Sequence, residues 1–365
     1  MISEYNNITL NGKLLIGDDL ISLCYLKLSN SELPEWERNI YEFILEWQDE
    51  NEFVWVNTSG STGTPKSIRI LKNRMIASAL MTGKYLDLKK NDNALLCLPA
   101  KFIAGKMMIV RAIVLKLNLI VIPPDSFPVK ELSHDIGFAA MVPLQVQNSI
   151  TNKYNFNRIK KLIIGGSSIS NDLINKLQFV KPDCYSTFGM TETITHIAMR
   201  RLNNPTADEY FSGLDDVQFG KNENNCLTIF APNICDELIV TNDVIELIDE
   251  SQFKWLGRRD HVINSGGIKL HPERIEAKLS EKIFRRFFIY GLKDPDLGEK
   301  VALFIEGRPL DGECYTRFEE RINKLLDRYE KPKEIIHLPL FEETETGKVK
   351  RKSTVDKYLS SLTNI

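Results

Sequence analysis

Thr58-Ser59-Gly60-Ser61-Thr62-Gly63-Thr64-Pro65-Lys66 decides how the rest of the chain is read. It follows the apolar run Phe53-Val54-Trp55-Val56, which reads as a buried strand, so the loop is expected at a strand's carboxyl end, where open α/β sheets place ligands. The stretch combines five hydroxyls, two glycines and a lysine. Glycines let backbone N–H groups approach an anion, hydroxyls add donors that swivel, and Lys66 supplies charge, a set that suits a polyphosphate. A Ser/Thr/Gly-rich surface linker is the plainer reading of the same composition. The loop is not a Walker A motif, because Pro65 precedes the lysine and Ser67-Ile68-Arg69-Ile70-Leu71 alternates like a second strand instead of opening a helix. A hairpin gripping phosphates is the expected local structure.

The 365 residues, 43% hydrophobic and 26% charged, suffice for a full core and two domains. A net charge of -2 gives no sign of a nucleic-acid or anionic-membrane surface. The start Met1-Ile2-Ser3-Glu4-Tyr5-Asn6-Asn7 has neither a basic region nor an apolar run, and no later segment approaches a membrane span, so a cytoplasmic protein without membrane insertion is expected. Cys24, Cys97, Cys184, Cys226, Cys235 and Cys314 lack CxxC spacing, which argues against zinc and against a disulfide framework.

Outward from the loop, the chain reads as alternating strands and helices. Residues 1 to about 50 hold short strand-like pieces and an amphipathic helix from Pro34 to Trp47. A helix is expected over Asn73 to Leu88, a buried strand over Ala94 to Pro99, and a mostly apolar helix with two cations, Lys106 and Arg111, over Phe102 to Val114. Strands at Leu119 to Ile122 and near Phe138 continue a mostly parallel sheet covered by helices. Leu162-Ile163-Ile164-Gly165-Gly166-Ser167-Ser168-Ile169-Ser170 is strand, glycine turn and helix start, a pattern that an ordinary βα turn also produces. Residues 211 to 256 read as short alternating strands, a small β-rich subdomain. After residue 260 come strands at Phe287 to Tyr290 and Lys300 to Ile305, then a charged helix from Arg317 to Tyr329.

Three further segments carry chemistry. In Cys184-Tyr185-Ser186-Thr187-Phe188-Gly189-Met190-Thr191-Glu192-Thr193, Phe188 can offer a flat face to a purine and Gly189 permits a tight turn. Thr191 can donate to a phosphate oxygen, and Glu192 is a hard oxygen ligand for magnesium, although an isolated Thr-Glu pair also serves as a helix cap. In the stretch from Gly257 to Glu276, turn-prone polar residues surround Arg258 to Asp260, fitting a junction whose backbone angles absorb rotation, and Ser265-Gly266-Gly267 also fits a tight hairpin turn. Near the carboxyl end, Glu345-Thr346-Gly347-Lys348 by itself is a charged, solvated tail.

Taken together, these segments resemble, in order, the motifs of the adenylate-forming superfamily of acyl-CoA synthetases, adenylation domains and luciferases. The resemblance runs from about residue 53 to 352. It implies a large N-terminal α/β domain (1–258), with a mostly parallel sheet and a small β-rich subdomain, and a smaller mobile C-terminal α+β domain (259–365). By the same resemblance, Thr58, Ser59, Gly60, Ser61, Thr62, Gly63 and Lys66 cradle the ATP phosphates. Gly165, Gly166 and Ser167, with Thr187, Phe188, Gly189 and Met190, surround the adenine. Asp243, in a Val240-Thr241-Asn242-Asp243 stretch that alone is a turn signal, accepts from both ribose hydroxyls, and Arg258 touches the ribose. Asp260 is the hinge, Ser265, Gly266 and Gly267 approach coenzyme A, and Lys348 is the catalytic lysine beside Thr191 and Glu192. Phe188 stands where tyrosine is usual, which keeps stacking and loses a phenol hydrogen bond. Phe102 stands where many relatives carry histidine, removing a polar group near the substrate carboxylate.

The chemistry implied is ATP- and Mg²⁺-dependent activation of a small-molecule carboxylic acid as its adenylate, then transfer of the acyl group to coenzyme A. The compact size and the Ile103-Ala104-Gly105-Lys106-Met107-Met108 segment are most similar to the o-succinylbenzoate–CoA ligases of menaquinone biosynthesis, in a short form. That acid has two carboxylates, so Phe102 and Gly105 are expected near the acyl group, with Lys106 or Arg111 as cation for the carboxylate that does not react. A helix-surface role for either cation remains open. So do another aryl- or acyl-CoA ligase, an enzyme loading a carrier-protein thiol, a non-catalytic nucleotide-binding module and a homodimer. The shortened N-terminal part implies an acyl pocket that is trimmed or completed by another subunit.

Overall fold

The computed structural model describes residues 2–57, 67–130, 132–205, 207–280, 282, 283, 285–344 and 349–363. The phosphate-loop candidate 58–66 and the lysine segment 345–348 therefore lie outside the described residues.

The chain opens with a short hairpin, β1 (Asn7–Leu10) and β2 (Lys13–Ile16), then α1 (Gly17–Leu28) and α2 (Glu35–Gln48). Helix α1 was not expected from the sequence; it buries only Leu20 and Cys24, too sparse a stripe to register as a periodic pattern. Helix α2 buries Ile40, Tyr41, Phe43, Ile44 and Trp47, the 3- and 4-residue spacing of one helical face. Strands β3 (Phe53–Asn57) and β4 (Ser67–Leu71) pair antiparallel and flank the candidate loop, as the alternation predicts. They form a separate two-stranded sheet, however, so the loop does not end a strand of the large sheet. Strand β3 is half-buried, with Val54 and Val56 inside and Trp55 51% exposed, which suits a hairpin lying on the domain.

Next come α3 (Lys72–Tyr85), β5 (Asn93–Leu96), α4 (Ile103–Leu115), β6 (Asn118–Val121), β7 (Ile136–Met141), α5 (Pro143–Ser149), α6 (Lys153–Phe156), β8 (Ile159–Ile164), α7 (Asn171–Leu177) and β9 (Asp183–Gly189). Strands β1, β6, β5, β7, β8 and β9 lie side by side in parallel, each crossover between β5 and β9 carrying helix or loop over a face. Their continuous apolar stretches follow from burial on both faces, into one core with α3 and α4 and a second with α5 and α7.

From β9 onward the direction alternates. Strands β10 (His196–Arg201), β11 (Phe211–Gly213), β12 (Gln218–Lys221), β13 (Cys226–Phe230), β14 (Ile239–Asp249) and β15 (Gln252–Arg258) add antiparallel, giving one 13-stranded sheet. The β-rich region is thus continuous with the parallel half. Phe253 of β15 is fully buried at its centre, with ring centroids of Phe188, Phe211 and Phe219 at 5.1, 5.5 and 4.8 Å.

A third sheet begins shortly after β15. Strands β16 (Ile263–Ser265) and β17 (Ile268–Leu270), helix α8 (Pro272–Leu279), β18 (Phe287–Asp294), β19 (Gly298–Glu306), α9 (Gly312–Asn323), β20 (Glu334–Leu338) and α10 (Arg351–Thr363) build a five-stranded sheet with helices on both faces. The two-residue period of β19 separates its sides: Val301, Leu303 and Ile305 pack with α8 and α9, while Ala302 and Phe304 pack with Val355 of α10. Helix α9 starts earlier than the expected 317–329 helix and covers only its first part, to Asn323; beyond it the chain turns, with Lys278 bridging Asp327 and Glu330. Among the described residues, no helix is long and apolar enough to cross a membrane, and all six cysteines are free. Phe253→Ala is expected to cost about 3–5 kcal/mol, read as a lower urea midpoint; an unchanged midpoint would remove the ring cluster from the core.

Candidate active site

The hairpin that presents residues 58–66 is fixed by side chains of two helices. Glu46 of α2 accepts from the Trp55 backbone N–H at 2.8 Å, and Lys106 of α4 donates to the Trp55 carbonyl at 2.9 Å. Glu46 and Lys106 pair with each other at 2.9 Å, and the Lys106 ammonium lies 4.7 Å from the Phe43 ring centroid. Lys72, fully buried, bonds the Asp49 carboxylate at 2.7 Å and the Asp49 carbonyl at 3.0 Å, tying the entry of β3 to α3. Lys106, a candidate for the substrate carboxylate, is thus engaged within the protein. Gly105 permits another contact: a side chain there would collide with the Pro99 carbonyl, so its absence lets the first turn of α4 sit against that backbone. Phe102 is the residue before α4, half-buried.

The two glycine-bearing segments meet at the ends of neighbouring strands. Ile164 pairs with Ser186 in the β8–β9 register, and the Thr187 hydroxyl donates to the Ile164 carbonyl at 3.2 Å, placing Gly165, Gly166 and Ser167 beside Thr187 and Phe188. Gly166 and Ser167 are exposed, and Phe188 is half-buried against Phe211 and Phe253.

Residues 190–195 form the turn between β9 and β10. The Met190 N–H donates to the Thr193 hydroxyl at 2.9 Å, the Ile194 N–H donates to the Thr191 carbonyl at 2.9 Å, and Ile194 adopts φ 64°. A side chain at Gly189 would strike the backbone of Thr195 and His196, so glycine is required for this closure. The turn displays Thr191, half-buried, and Glu192, exposed and without a hydrogen bond or ion pair among the described residues. An unengaged hard carboxylate fits a magnesium ion that takes one protein ligand and completes its shell with phosphates and water. No group of three His, Cys, Asp or Glu residues forms a metal cage among the described residues.

Asp243 lies directly across from Arg258 in the β14–β15 pair. It is buried, accepts from the Trp255 indole N–H at 2.9 Å, and burial raises its carboxyl above the ordinary range. Trp255, which holds Asp243 in place, was not singled out from the sequence, where it looks like any strand aromatic. Arg258 makes a bidentate pair with Asp260 at 2.9 and 3.0 Å, and this hydrogen bonding holds the Asp260 carboxyl below its usual value. The hinge candidate and the ribose candidate are therefore bonded to each other. His261 pairs with Glu273 of α8 at 2.5 Å, and Arg351 of α10 reaches Glu276 at 2.8 Å, so the segment just after Lys348 is tied to the helix that follows the hinge candidate. Ser265, Gly266 and Gly267 join β16 to β17, with φ 58° and 81° at the two glycines, as a two-residue hairpin turn demands.

Arg111 sits at the middle of α4, 2% exposed, and meets no carboxylate among the described residues. Its Nη2 donates to the Thr195 hydroxyl at 3.5 Å, its Nη1 approaches the Met108 sulfur at 3.8 Å, and its Nε has no partner. Burial pulls the guanidinium down to about 9, still cationic at neutral pH. Through Thr195 the acyl-helix candidate thus reaches the turn that carries Thr191 and Glu192. His196, unremarked in the sequence, lies beside it, buried.

The comparisons with known proteins bear on the same elements. The profile of the AMP-binding enzyme family matches residues 24–214, which hold the hairpin, the parallel strands and the β9–β10 turn. The 2-succinylbenzoate–CoA ligase of Lactococcus lactis is 25% identical over 334 residues, covering 84% of this chain and 71% of that protein. An acyl-CoA synthetase (AMP-forming)/AMP-acid ligase II-like protein from Dyadobacter fermentans superposes with a TM-score of 0.61 at 34% identity, covering 92% of this chain and 97% of that one. The O-succinylbenzoate coenzyme A synthetase of Bacillus subtilis, solved with ATP and magnesium, has the same fold, with a TM-score of 0.74 at 15% identity over 96% of this chain. With the family profile spanning more than half the chain and a similarly sized relative matched nearly end to end, this protein belongs to the AMP-binding enzyme family.

Proposed function

We propose that the protein is an AMP-forming ligase that adenylates a dicarboxylic aryl acid, o-succinylbenzoate, and passes the acyl group to coenzyme A. The observation that carries the substrate is Arg111. A buried cation without a counter-ion costs several kcal/mol, so a site that keeps one is suited to an anion arriving with the ligand. Of the two cations on α4, Lys106 already neutralises Glu46, and Arg111 remains for the carboxylate that does not react. Its Nε–H, buried and without an acceptor among the described residues, is a donor left for a carboxylate oxygen. The similarity to the Lactococcus ligase agrees with this reading.

The reaction follows from the need to replace a poor leaving group. One carboxylate oxygen attacks the α-phosphorus of ATP, the new O–P bond forms as the bond to the bridging oxygen breaks, and pyrophosphate leaves with that electron pair. Both reactants are anionic, so catalysis is positioning plus cationic stabilisation. In our reading residues 58–66 cradle the β- and γ-phosphates, Phe188 and Gly165–Ser167 receive the adenine, and Asp243 with Arg258 holds the ribose. Lys348 lies between carboxylate and α-phosphate. Magnesium, held through Glu192 and the nucleotide, would neutralise phosphate charge. In the second step the coenzyme A thiolate attacks the acyl carbon, a C–S bond forms, and AMP departs with the electrons of the broken C–O bond. The part from residue 259 onward serves as a lid that turns about Asp260, withdrawing Lys348 and bringing Ser265–Gly267 to the thiol.

Pyrophosphate release and thioester formation, measured with o-succinylbenzoate and with a matched aryl monocarboxylate, test the assignment. Lys348→Ala is expected to lower adenylation by at least about 100-fold, the scale of lost electrostatic stabilisation; unchanged release would exclude its role. Arg111→Ala should raise KM for the dicarboxylate about tenfold or more, the loss of a charged hydrogen bond, with little change for the monocarboxylate. Equal effects on both acids would refute the dicarboxylate reading. Lys106→Met, by contrast, should lower stability by about 1–3 kcal/mol through the unpaired Glu46 and Trp55 carbonyl, and affect both acids alike. Selective damage to dicarboxylate binding by Lys106→Met would reverse the two assignments.

A further inference from the structure

The surroundings of Arg111 determine more than its charge. In α3 the Thr82 hydroxyl donates to the Ser78 carbonyl one turn back at 2.9 Å, which uses its only proton. The His196 Nε2 lies 3.1 Å from that same oxygen, so Nε2 must carry a hydrogen and donate. The imidazole is buried and shares its surroundings with the Arg111 guanidinium; burial first, and that charge second, hold it neutral. A neutral ring with hydrogen on Nε2 has a bare Nδ1. Thr195 Oγ, 3.3 Å from Nδ1, must therefore donate, and its lone pairs are left to accept from Arg111 Nη2 at 3.5 Å. The order runs from arginine to threonine to histidine, and on through Thr82 to the Ser78 carbonyl. The opposite tautomer would set a bare Nε2 against an oxygen whose proton is already committed, leaving a buried acceptor unpaired.

We propose that His196 is a positioning residue for the acid substrate: as the neutral Nε2–H tautomer it turns the Thr195 oxygen toward Arg111 and fixes the guanidinium with its unpartnered Nε–H left for the carboxylate that does not react. The proposal rests on Arg111 as the substrate cation, and it adds why that cation holds one orientation without a carboxylate from the described residues to hold it. His196 touches no substrate in this scheme. It acts through Thr195, and it also excludes a second anion-binding donor, because the Thr195 proton is turned away from the ligand.

The full-length protein labelled with ¹⁵N in its histidine rings tests the tautomer, with His196→Gln used to assign the resonances among five histidines. A pyridine-type Nδ1 and a pyrrole-type Nε2 at neutral pH are expected; the reverse pattern, or a doubly protonated ring, overturns the proposal. In kinetics, His196→Leu should raise KM for o-succinylbenzoate about tenfold, the scale of a charged hydrogen-bond network, with kcat and the monocarboxylate KM little changed. His196→Gln, which keeps a donor and an acceptor, should restore much of the loss. Equal impairment of Leu and Gln variants on both acids means that His196 only fills space, and overturns the role. A wild-type protein that does not prefer the dicarboxylate marks failure of the substrate reading and takes the positioning role with it, whereas a preference untouched by His196→Leu overturns that role alone.

Discussion

The close approach of Gly189 to the backbone of Thr195 and His196 is the constraint on which the site depends. Strand β9 runs parallel to β8 on one side and antiparallel to β10 on the other, so the sheet changes character at this strand. Any side chain at residue 189 would hold β10 away and open the turn. With glycine, the Thr193 hydroxyl closes it from inside, and the few residues between the strands have almost no freedom. Different groups are thereby set at short range: Phe188 before the turn, Thr191, Glu192 and Thr195 on it, and His196 after it. Rigidity here matters because a phosphoryl transfer between two anions gains chiefly from placement.

Charge burial supplies the second layer. Helix α4 carries two cations into a nearly continuous apolar surface, and the structure treats them in opposite ways. Lys106 finds Glu46, and between them they satisfy both backbone polar groups of Trp55 on the hairpin that presents the phosphate-loop candidate. The pair substitutes for the neighbouring strand that β3 lacks on that side. Among the described residues Arg111 finds only a hydroxyl and a sulfur. A paired buried charge is a fastening; an unpaired one is a binding capacity held in reserve.

Beyond residue 258 the polar contacts concentrate where movement is expected. Arg258 grips Asp260, His261 grips Glu273, and Arg351 grips Glu276, linking the junction, helix α8 and the start of α10. The Asn171 side chain also donates to the Ala277 carbonyl at 2.8 Å, joining α7 to α8. These polar contacts lie beside the apolar cores on either side of the five-stranded sheet.

The sequence by itself determined what depends on near neighbours. Alternation specified the β3–β4 pair, a double glycine specified the β16–β17 turn, and the order of motifs specified the family, because period, turn chemistry and motif spacing are all local. It also marked Glu192 and Arg111 by residue type, and Asp243 and Arg258 through the family resemblance. Only the tertiary structure decided which of two equivalent-looking cations lacks a carboxylate among the described residues, that β3 and β4 stand apart from the large sheet, and that Trp255 meets Asp243 while Thr195 lies between His196 and Arg111. Glu46 meets Lys106 across 60 residues, Arg111 meets Thr195 across 84, and Thr82 meets His196 across 114. The worth of a buried charge or hydrogen bond lies in its partner, and over such separations the partner is chosen by packing, which no local pattern records.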